Sequence, residues 1–285
     1  MTKNKRNFIR FAMWIKKLFL ELLIFVFVIF LYNCRTFGQS EPLPGKNYFD
    51  PNFQCEKGLV NKEKNLTYLK LREEVRKNFP PVEKNPFMVI AGESTMALFT
   101  PEIYQEYLSN YTIVNRAIGG ETTLLLLTSL ENDIIALKPD VILISIGGND
   151  LLEGRCINNI INNINLIFYN IRLKLPDTYI IFASIPPVLS SKVNSVSPYL
   201  NQRIYNLLLT YPKTIYFDLW EILAEEDKPL LQEKFYRKIS DYPLAKYDLL
   251  HFNTKGYEEI AKRLKPILDK IYQEKNEMNK SIQQK

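Results

Sequence analysis

The sequence predicts an α/β protein, a three-layer α/β/α sandwich around a five-stranded parallel sheet. Five short runs are apolar throughout and have the length of strands, and amphipathic patterns of helical length separate them. Strands that are apolar on both faces need helices on both sides, and a helix between successive strands makes the sheet parallel. The predicted strands are 87–91 (FMVIA), 112–118 (TIVNRAI), 140–146 (DVILISI), 179–185 (YIIFASI) and 214–219 (TIYFDL).

Helical periodicity fills the intervals between these strands and continues after the last one. The predicted helices are 97–109, 121–138, 156–175, 198–211 and 253–272.

The regions on either side of these elements define the predicted domain boundaries. An amphipathic helix at 62–79 ends before two prolines, which cannot continue a helix. We therefore predict a tether and this preceding helix over 35–84, one folded domain over 85–273, and a frayed polar tail over 274–285. Residues 1–34 form a separate predicted segment.

That first segment has the features of a membrane-export sequence. Residues 1–33 contain six basic residues and one acidic residue, a balance of +5 out of the net charge of +6 for the whole chain. An apolar run at 18–32 follows the basic residues, as in a signal sequence. As a helix it would span about 22 Å, short of the roughly 30 Å hydrocarbon core of a bilayer. The rest of the chain is nearly neutral, so no nucleic-acid partner is predicted.

Cys34 ends the sequence LYNC, which partly resembles a bacterial lipobox with leucine three positions before the cysteine. Small residues would be expected at the two intervening positions. Two interpretations remain: a lipoprotein lipidated at Cys34, which we prefer, or an uncleaved signal anchor with its basic residues at the cytoplasmic face. Both predict a membrane-anchored, extracytoplasmic protein.

The other two cysteines, Cys55 and Cys156, could form a disulfide in an oxidising compartment or remain as buried thiols. The chain has one histidine and no C-x-x-C pair, so no zinc site is predicted.

Polar, glycine-rich groups follow three of the predicted strands. They are GEST at 92–95, GGETT at 119–123 and GGND at 147–150, and DLLH at 248–251 lies on a predicted loop before the last helix. Ligands bind at the carboxyl ends of the strands in open α/β sheets. We therefore expect these groups to meet at one edge of the sheet.

These residue types can carry out ester hydrolysis by a serine nucleophile. Ser94 offers a hydroxyl, and His251 can accept its proton near neutral pH. Asp248, three residues before His251, can orient the imidazole. The N–H groups of Ser94 and Gly120 and the side-chain amide of Asn149 can donate to an oxyanion. Each residue alone could equally be a cap or a turn residue, so the prediction depends on their joint placement.

The blocks GES, NRAIGGETT, SIGGND and DLLHFNTKGY resemble the four sequence blocks of the SGNH, or GDSL, hydrolase superfamily of serine esterases and lipases with a flavodoxin-like sandwich. The resemblance covers about 86–270, and the second block is similar to an acetylhydrolase and lysophospholipase-like branch. The resemblance implies that Ser94 is the nucleophile, that Asp248 and His251 complete the triad, and that Gly120, Asn149 and the Ser94 N–H form the oxyanion hole. Glu93 departs from the family, which usually has Asp there, and its extra methylene could shift the loop that carries Ser94.

The function expected from these observations is a membrane-tethered serine esterase acting on an acyl ester. Acyl transfer through a serine requires no metal and no organic cofactor, so no cofactor is predicted. Acetylated glycans, lysophospholipids and other short or medium acyl esters are all open as substrates. An O-acyltransferase that uses the same acyl-enzyme and a non-catalytic surface lipoprotein are the alternatives. The segments 151–156, 186–197 and 225–247 are expected to determine specificity.

Overall fold

A computed structural model describes Cys55 and residues 57–82, 85–226, 228–240 and 246–283. The predicted export segment, with the lipidation candidate Cys34, lies outside these residues. Among the helices of the described residues, none combines the length and the apolar character that a membrane span requires.

The central sheet has five parallel strands in the order β2-β1-β3-β4-β5, which confirms the predicted fold class. The chain moves from β1 to β2 on one side and then adds β3, β4 and β5 on the other side. The strand order therefore reverses next to β1, the place where such sheets bind ligands. The strands are β1 Met88–Gly92, β2 Ile113–Asn115, β3 Val141–Ser145, β4 Tyr179–Ala183 and β5 Thr214–Phe217.

Helices precede, connect and follow these strands. They are α1 Asn61–Lys64, α2 Leu66–Lys77, α3 Ser94–Ala97, α4 Pro101–Leu108, α5 Thr123–Asp133, α6 Gly148–Leu152, α7 Ile157–Lys174, α8 Ser191–Asn194, α9 Ser197–Leu208, α10 Leu219–Leu223 and α11 Thr254–Gln283.

The two faces of the sheet contribute to two separate hydrophobic cores. Successive side chains of a strand point to opposite faces, so Met88 and Ile90 join one core while Val89 and Ala91 join the other. The first core includes residues of α4 and α11, and the second includes residues of α5, α7 and α9. All four of these β1 side chains are fully buried, which explains why the strand is apolar without alternation.

An antiparallel hairpin of β6 Tyr236–Ser240 and β7 Lys246–Phe252 stands outside the central sheet. The sequence prediction was wrong for these two strands, because it placed them, with the DLLH group, in loops. Strands are recognised by a buried face, and this hairpin has little of one: Ile239 and Leu249 are both largely exposed.

The last helix was also predicted too short. It continues beyond 272 to Gln283, so the predicted frayed tail is helical as far as that residue. The segment is polar, but its Glu, Lys and Met residues favour helix and no Pro or Gly interrupts it. Polarity alone was therefore a poor indicator of fraying.

The segment before β1 joins the fold more closely than a tether would. Cys55 forms a disulfide with Cys156, and the side chain of Val60 is buried. The predicted helix 62–79 is split into α1 and α2 at Asn65, whose side chain accepts hydrogen bonds from the first N–H groups of α2. The predicted tether therefore reaches no further than Cys55.

Candidate active site

Ser94 is the first residue of α3, directly after β1. Gly92 ends β1 with φ +130°, and a Cβ there would lie 1.9 Å from the carbonyl oxygen of Ser145 on β3. Only glycine allows the two backbones to come this close. The loops after β1 and β3 are consequently side by side where the strand order reverses.

Three predicted catalytic side chains meet at this edge. His251 Nε2 lies 2.7 Å from Ser94 Oγ, and His251 Nδ1 lies 2.9 Å from Asp248 Oδ2. The other carboxylate oxygen, Asp248 Oδ1, accepts hydrogen bonds from the backbone N–H groups of Leu250 and His251. Asp248 is thereby fixed by its own strand while it holds the imidazole.

The electrostatics of Asp248 determine which ring nitrogen carries the proton. Partial burial opposes ionisation, but the hydrogen bonds from Leu250 and His251 outweigh it, and the pKa of Asp248 is lowered. The Arg237 guanidinium, 3.7 Å from Oδ2, is a further positive neighbour. An ionised carboxylate only accepts hydrogen bonds. His251 Nδ1 therefore carries the hydrogen, and the lone pair of Nε2 faces the hydroxyl of Ser94.

The glycine pair after β2 lies close to the serine. A Cβ on Gly119 would be 4.0 Å from the Cβ of Ser94, and Gly120 adopts φ +80°. Among the described residues, no acceptor receives a hydrogen bond from the backbone N–H of Ser94 or of Gly120. These two groups remain the predicted oxyanion donors, and both are free to act.

Asn149 reaches the same edge in an orientation that the sequence did not predict. Its Nδ2 donates to Glu93 Oε2 at 2.6 Å and to the carbonyl oxygen of Glu121 at 3.0 Å, while its Oδ1 accepts from Lys62 Nζ at 2.6 Å. Both side-chain hydrogens are engaged inside the protein. Donation to an oxyanion requires Asn149 to share one of them.

Glu93 fixes part of the orientation of Asn149, because its carboxylate accepts a hydrogen bond from the Asn149 side-chain nitrogen. Its buried carboxylate also accepts hydrogen bonds from the backbone N–H groups of Gly148 and Asn149, at 3.1 and 2.8 Å. The sequence left open whether the extra methylene shifts the Ser94 loop; in the structure the longer side chain bridges the loops after β1 and β3. Burial raises the pKa of Glu93 to about 7, and the two N–H groups oppose that rise.

Asp150, the last residue of GGND, connects the second and third blocks. Its carboxylate accepts hydrogen bonds from the backbone N–H and the hydroxyl of Thr123, at 2.9 and 2.6 Å. Arg155 Nε lies 3.2 Å away. Burial raises the pKa of Asp150 to about 6, opposed first by the hydrogen bonds from Thr123. Asp150 is therefore placed to hold the site together without touching the serine.

A group of charged residues before β1 was missed by the sequence prediction. Glu63 pairs with Arg155 and accepts a hydrogen bond from Thr122, and Arg72 pairs with Glu121 at 2.7 Å. All four ionic side chains are buried. Their partners are far away in sequence, so no local pattern could have paired them.

A small cavity with both polar and apolar lining residues opens beside Ser94 and His251. Its volume is about 30 Å³, room for two or three waters or one small group. The segments 151–156 and 186–197, which were expected to determine specificity, both contribute to its wall. Its apolar lining residues are Leu152, Ile185, Pro186, Val188, Val193 and Leu250.

Comparison with known proteins gives distant relatives over most of the chain. Platelet-activating factor acetylhydrolase IB subunit alpha1 of Bos taurus is 22% identical over 190 residues, covering 65% of this chain and 76% of the relative. A solved structure from Streptococcus pneumoniae, whose description names platelet activating factor, has a TM-score of 0.58 and 26% identity, covering 70% of this chain and 92% of that one. A GDSL-like lipase from Bacteroides thetaiotaomicron has a TM-score of 0.55 and 19% identity, covering 71% and 97%, and shows the likeness of fold.

The family model for GDSL-like lipases and acylhydrolases matches residues 91–259, which is more than half of the chain. The matched region begins within β1 and ends within α11, so it contains all four groups at the sheet edge. The chain therefore belongs to the GDSL-like lipase/acylhydrolase family of hydrolases.

Proposed function

We propose that the protein is a serine esterase that hydrolyses short acyl esters, with Ser94 as nucleophile, His251 as general base and Asp248 as the residue that orients the imidazole. The observation that carries this proposal is the continuous hydrogen-bonded series from Asp248 Oδ2 through His251 to Ser94 Oγ. Family membership supports ester hydrolysis in general.

In the first step Ser94 Oγ attacks the carbonyl carbon of the ester, and its proton passes to His251 Nε2. The carbonyl oxygen becomes an oxyanion that accepts hydrogen bonds from the N–H groups of Ser94 and Gly120 and from Asn149, which shares one of its side-chain hydrogens. The imidazolium is stabilised by Asp248. Collapse of the tetrahedral intermediate breaks the bond to the alcohol oxygen, and the alcohol leaves with the proton from Nε2.

In the second step water attacks the acyl group on Ser94. His251 Nε2 takes the proton of the water and returns it to Ser94 Oγ as the bond to the acyl group breaks. The products are the carboxylic acid and the free enzyme. Neither step requires a redox change.

The size of the cavity beside Ser94 supports a short acyl group. A volume of about 30 Å³, with six apolar residues in its lining, is close to the size of an acetyl methyl group. The Bos taurus relative is an acetylhydrolase by name, which points to the same class. We therefore propose acetyl esters as the preferred substrates.

We further propose that the enzyme acts outside the cytoplasm, tethered to a membrane through the segment 1–34. The support comes from the sequence alone: basic residues, the apolar run 18–32 and Cys34. Expression with a radiolabelled or clickable fatty acid would test lipidation. We expect labelled wild type and unlabelled Cys34→Ala, and an unlabelled wild type would leave the uncleaved anchor as the tether.

The proposed activity is tested with p-nitrophenyl esters of increasing acyl length, using wild type and Ser94→Ala. We expect kcat/KM to be highest for acetate and Ser94→Ala to lose at least about 10³-fold. A Ser94→Ala variant as active as wild type would remove the serine mechanism. A preference for long chains would remove the acetyl proposal while leaving the mechanism in place.

The same acyl-enzyme could deliver its acyl group to a sugar hydroxyl instead of water. Product analysis with and without a polysaccharide acceptor separates the two reactions. Hydrolysis predicts free acetate in both samples. Acetate that appears on the acceptor would identify a transferase.

A further inference from the structure

Residues 57–77 lie before the region that matches the family, yet two of their side chains contact the predicted oxyanion donors. Tyr68 comes from α2 and Lys62 from α1. Neither residue belongs to the four sequence blocks. Their contacts suggest a role that the family motifs do not contain.

Tyr68 holds the peptide group that joins the two glycines. Its hydroxyl donates to the carbonyl oxygen of Gly119 at 3.1 Å, and its ring lies against Gly120, where an added Cβ would be 3.0 Å from Cε2. The Gly119 carbonyl and the Gly120 N–H belong to one planar amide. A donor on the carbonyl therefore fixes the direction of the N–H and polarises it. Burial holds the pKa of Tyr68 above its ordinary value, so the hydroxyl keeps its proton.

Lys62 holds the second amide. Its ammonium donates to Asn149 Oδ1 at 2.6 Å. Because an ammonium can only donate, the oxygen of the amide must face Lys62 and the nitrogen must face Glu93 and Glu121. The contact polarises the N–H groups of Asn149.

The segment that carries these two residues is held firmly to the domain. Glu63 next to Lys62 pairs with Arg155, and Arg72 on the turn after Tyr68 pairs with Glu121, all four side chains being buried. The disulfide from Cys55 to Cys156 holds the start of the segment. Buried ion pairs with several hydrogen bonds define a geometry closely, because breaking one leaves an unpaired charge.

We propose that the segment 57–77 positions the groups that donate to the oxyanion. Tyr68 orients the Gly119–Gly120 amide, and Lys62 orients the side chain of Asn149. This inference rests on the proposed esterase function. The two residues act through their amide partners, and they lower the barrier to turnover more than they improve the binding of the ester.

The test compares Tyr68→Phe, Lys62→Met and Lys62→Arg with wild type on p-nitrophenyl acetate. For Tyr68→Phe and Lys62→Met we expect kcat to fall about tenfold, as for a lost hydrogen bond, with KM within about twofold. Lys62→Arg keeps a charged donor and should recover part of the loss. The matched controls are Lys64→Met on the exposed side of α1 and Tyr169→Phe on the surface of α7, both expected to behave as wild type.

A double mutant separates positioning from general destabilisation. If Lys62 acts through Asn149, then Lys62→Met should lower kcat only slightly in an Asn149→Ala background. Tyr68→Phe should still lower kcat in that background by the same factor as in the wild type. Denaturation midpoints of all variants are measured alongside. Unchanged kcat in folded Tyr68→Phe and Lys62→Met, a loss confined to KM, or full additivity of Lys62→Met with Asn149→Ala would each overturn the inference.

The same assay distinguishes failure of this inference from failure of the proposed function. If Ser94→Ala is inactive while Tyr68→Phe and Lys62→Met are fully active, only the positioning role of Tyr68 and Lys62 is contradicted. A Ser94→Ala variant with wild-type turnover would remove both.

Discussion

His251 Nε2 lies 2.7 Å from Ser94 Oγ, although 157 positions separate the two residues in the chain. Ser94 is placed by the end of β1, and His251 by the hairpin strand β7. The hairpin is not part of the central sheet, so the position of the imidazole depends on the packing of an added element.

The orientation of His251 depends on Asp248, and Asp248→Asn should disturb it without changing the shape of the site. The backbone N–H groups of Leu250 and His251 require an acceptor, so the Asn oxygen would take the place of Oδ1 and its NH₂ would face His251 Nδ1. The hydrogen of the ring would then move to Nε2, which could no longer accept from Ser94. We expect kcat to fall about 10³–10⁴-fold, measured on p-nitrophenyl acetate.

Arg237→Gln is the matched control for Asp248→Asn. Its guanidinium is 3.7 Å from the same carboxylate but is partly exposed, so its removal should change kcat by no more than about threefold. An Asp248→Asn variant that behaves like Arg237→Gln would contradict the orienting role of Asp248.

Glu93 should make the stability of the protein depend on pH. Its pKa is about 7 in the folded protein against an ordinary 4.5, so the folded state binds more protons between these values. The free energy of unfolding should therefore fall as the pH rises through this interval, by roughly 3 kcal/mol from Glu93 alone. Asp150, with its pKa raised to about 6, acts in the same direction.

Urea unfolding of wild type and Glu93→Gln between about pH 5 and pH 8 isolates the contribution of Glu93. The variant has no titrating group at this position, so its unfolding free energy should decrease less steeply with pH. Glu74→Gln, on the exposed side of α2, should keep the wild-type slope. Parallel curves for wild type and Glu93→Gln would show that Glu93 does not titrate in this range.

The fold was largely predictable because its signal is local. The β1 and β3 runs are apolar on both faces, and each is followed by a helical pattern. The succession of strands and helices along the chain, and the burial of the strands, could therefore be inferred from short stretches of sequence. The hairpin strands β6 and β7 could not be predicted in this way. Ile239 and Leu249 are exposed, so apolar residues do not mark a buried face in these strands.

The candidate site was predictable only in part, for a related reason. Ser94, Gly120 and Asn149 lie within five residues of the carboxyl ends of three strands of one parallel sheet, and residues in such positions are expected at one edge. Lys62 and Tyr68 approach that edge from outside the sheet, and their partners could be found only from three-dimensional packing. The orientation of the Asn149 amide depends on its contact with Lys62, so it could not be predicted from the sequence either.

The cavity beside Ser94 should control acyl length. Val193→Ala would remove two methyl groups from its wall, and a pocket discriminates by about tenfold or more for each methylene it must accommodate. We expect the ratio of kcat/KM for p-nitrophenyl butyrate to that for acetate to rise about tenfold. Val75→Ala on the exposed side of α2 serves as the control. An unchanged ratio in Val193→Ala would mean that the acyl group is accommodated elsewhere.

The most direct test of the serine mechanism is covalent labelling with a fluorophosphonate, followed by peptide mass spectrometry. The serine oxygen displaces fluoride and keeps the phosphonate, so the wild-type protein should carry one label, on the peptide that contains Ser94. Ser94→Ala should remain unlabelled while staying folded. Equal labelling of Ser94→Ala, or a label on another residue of the wild type, would contradict the assignment of Ser94 as the nucleophile.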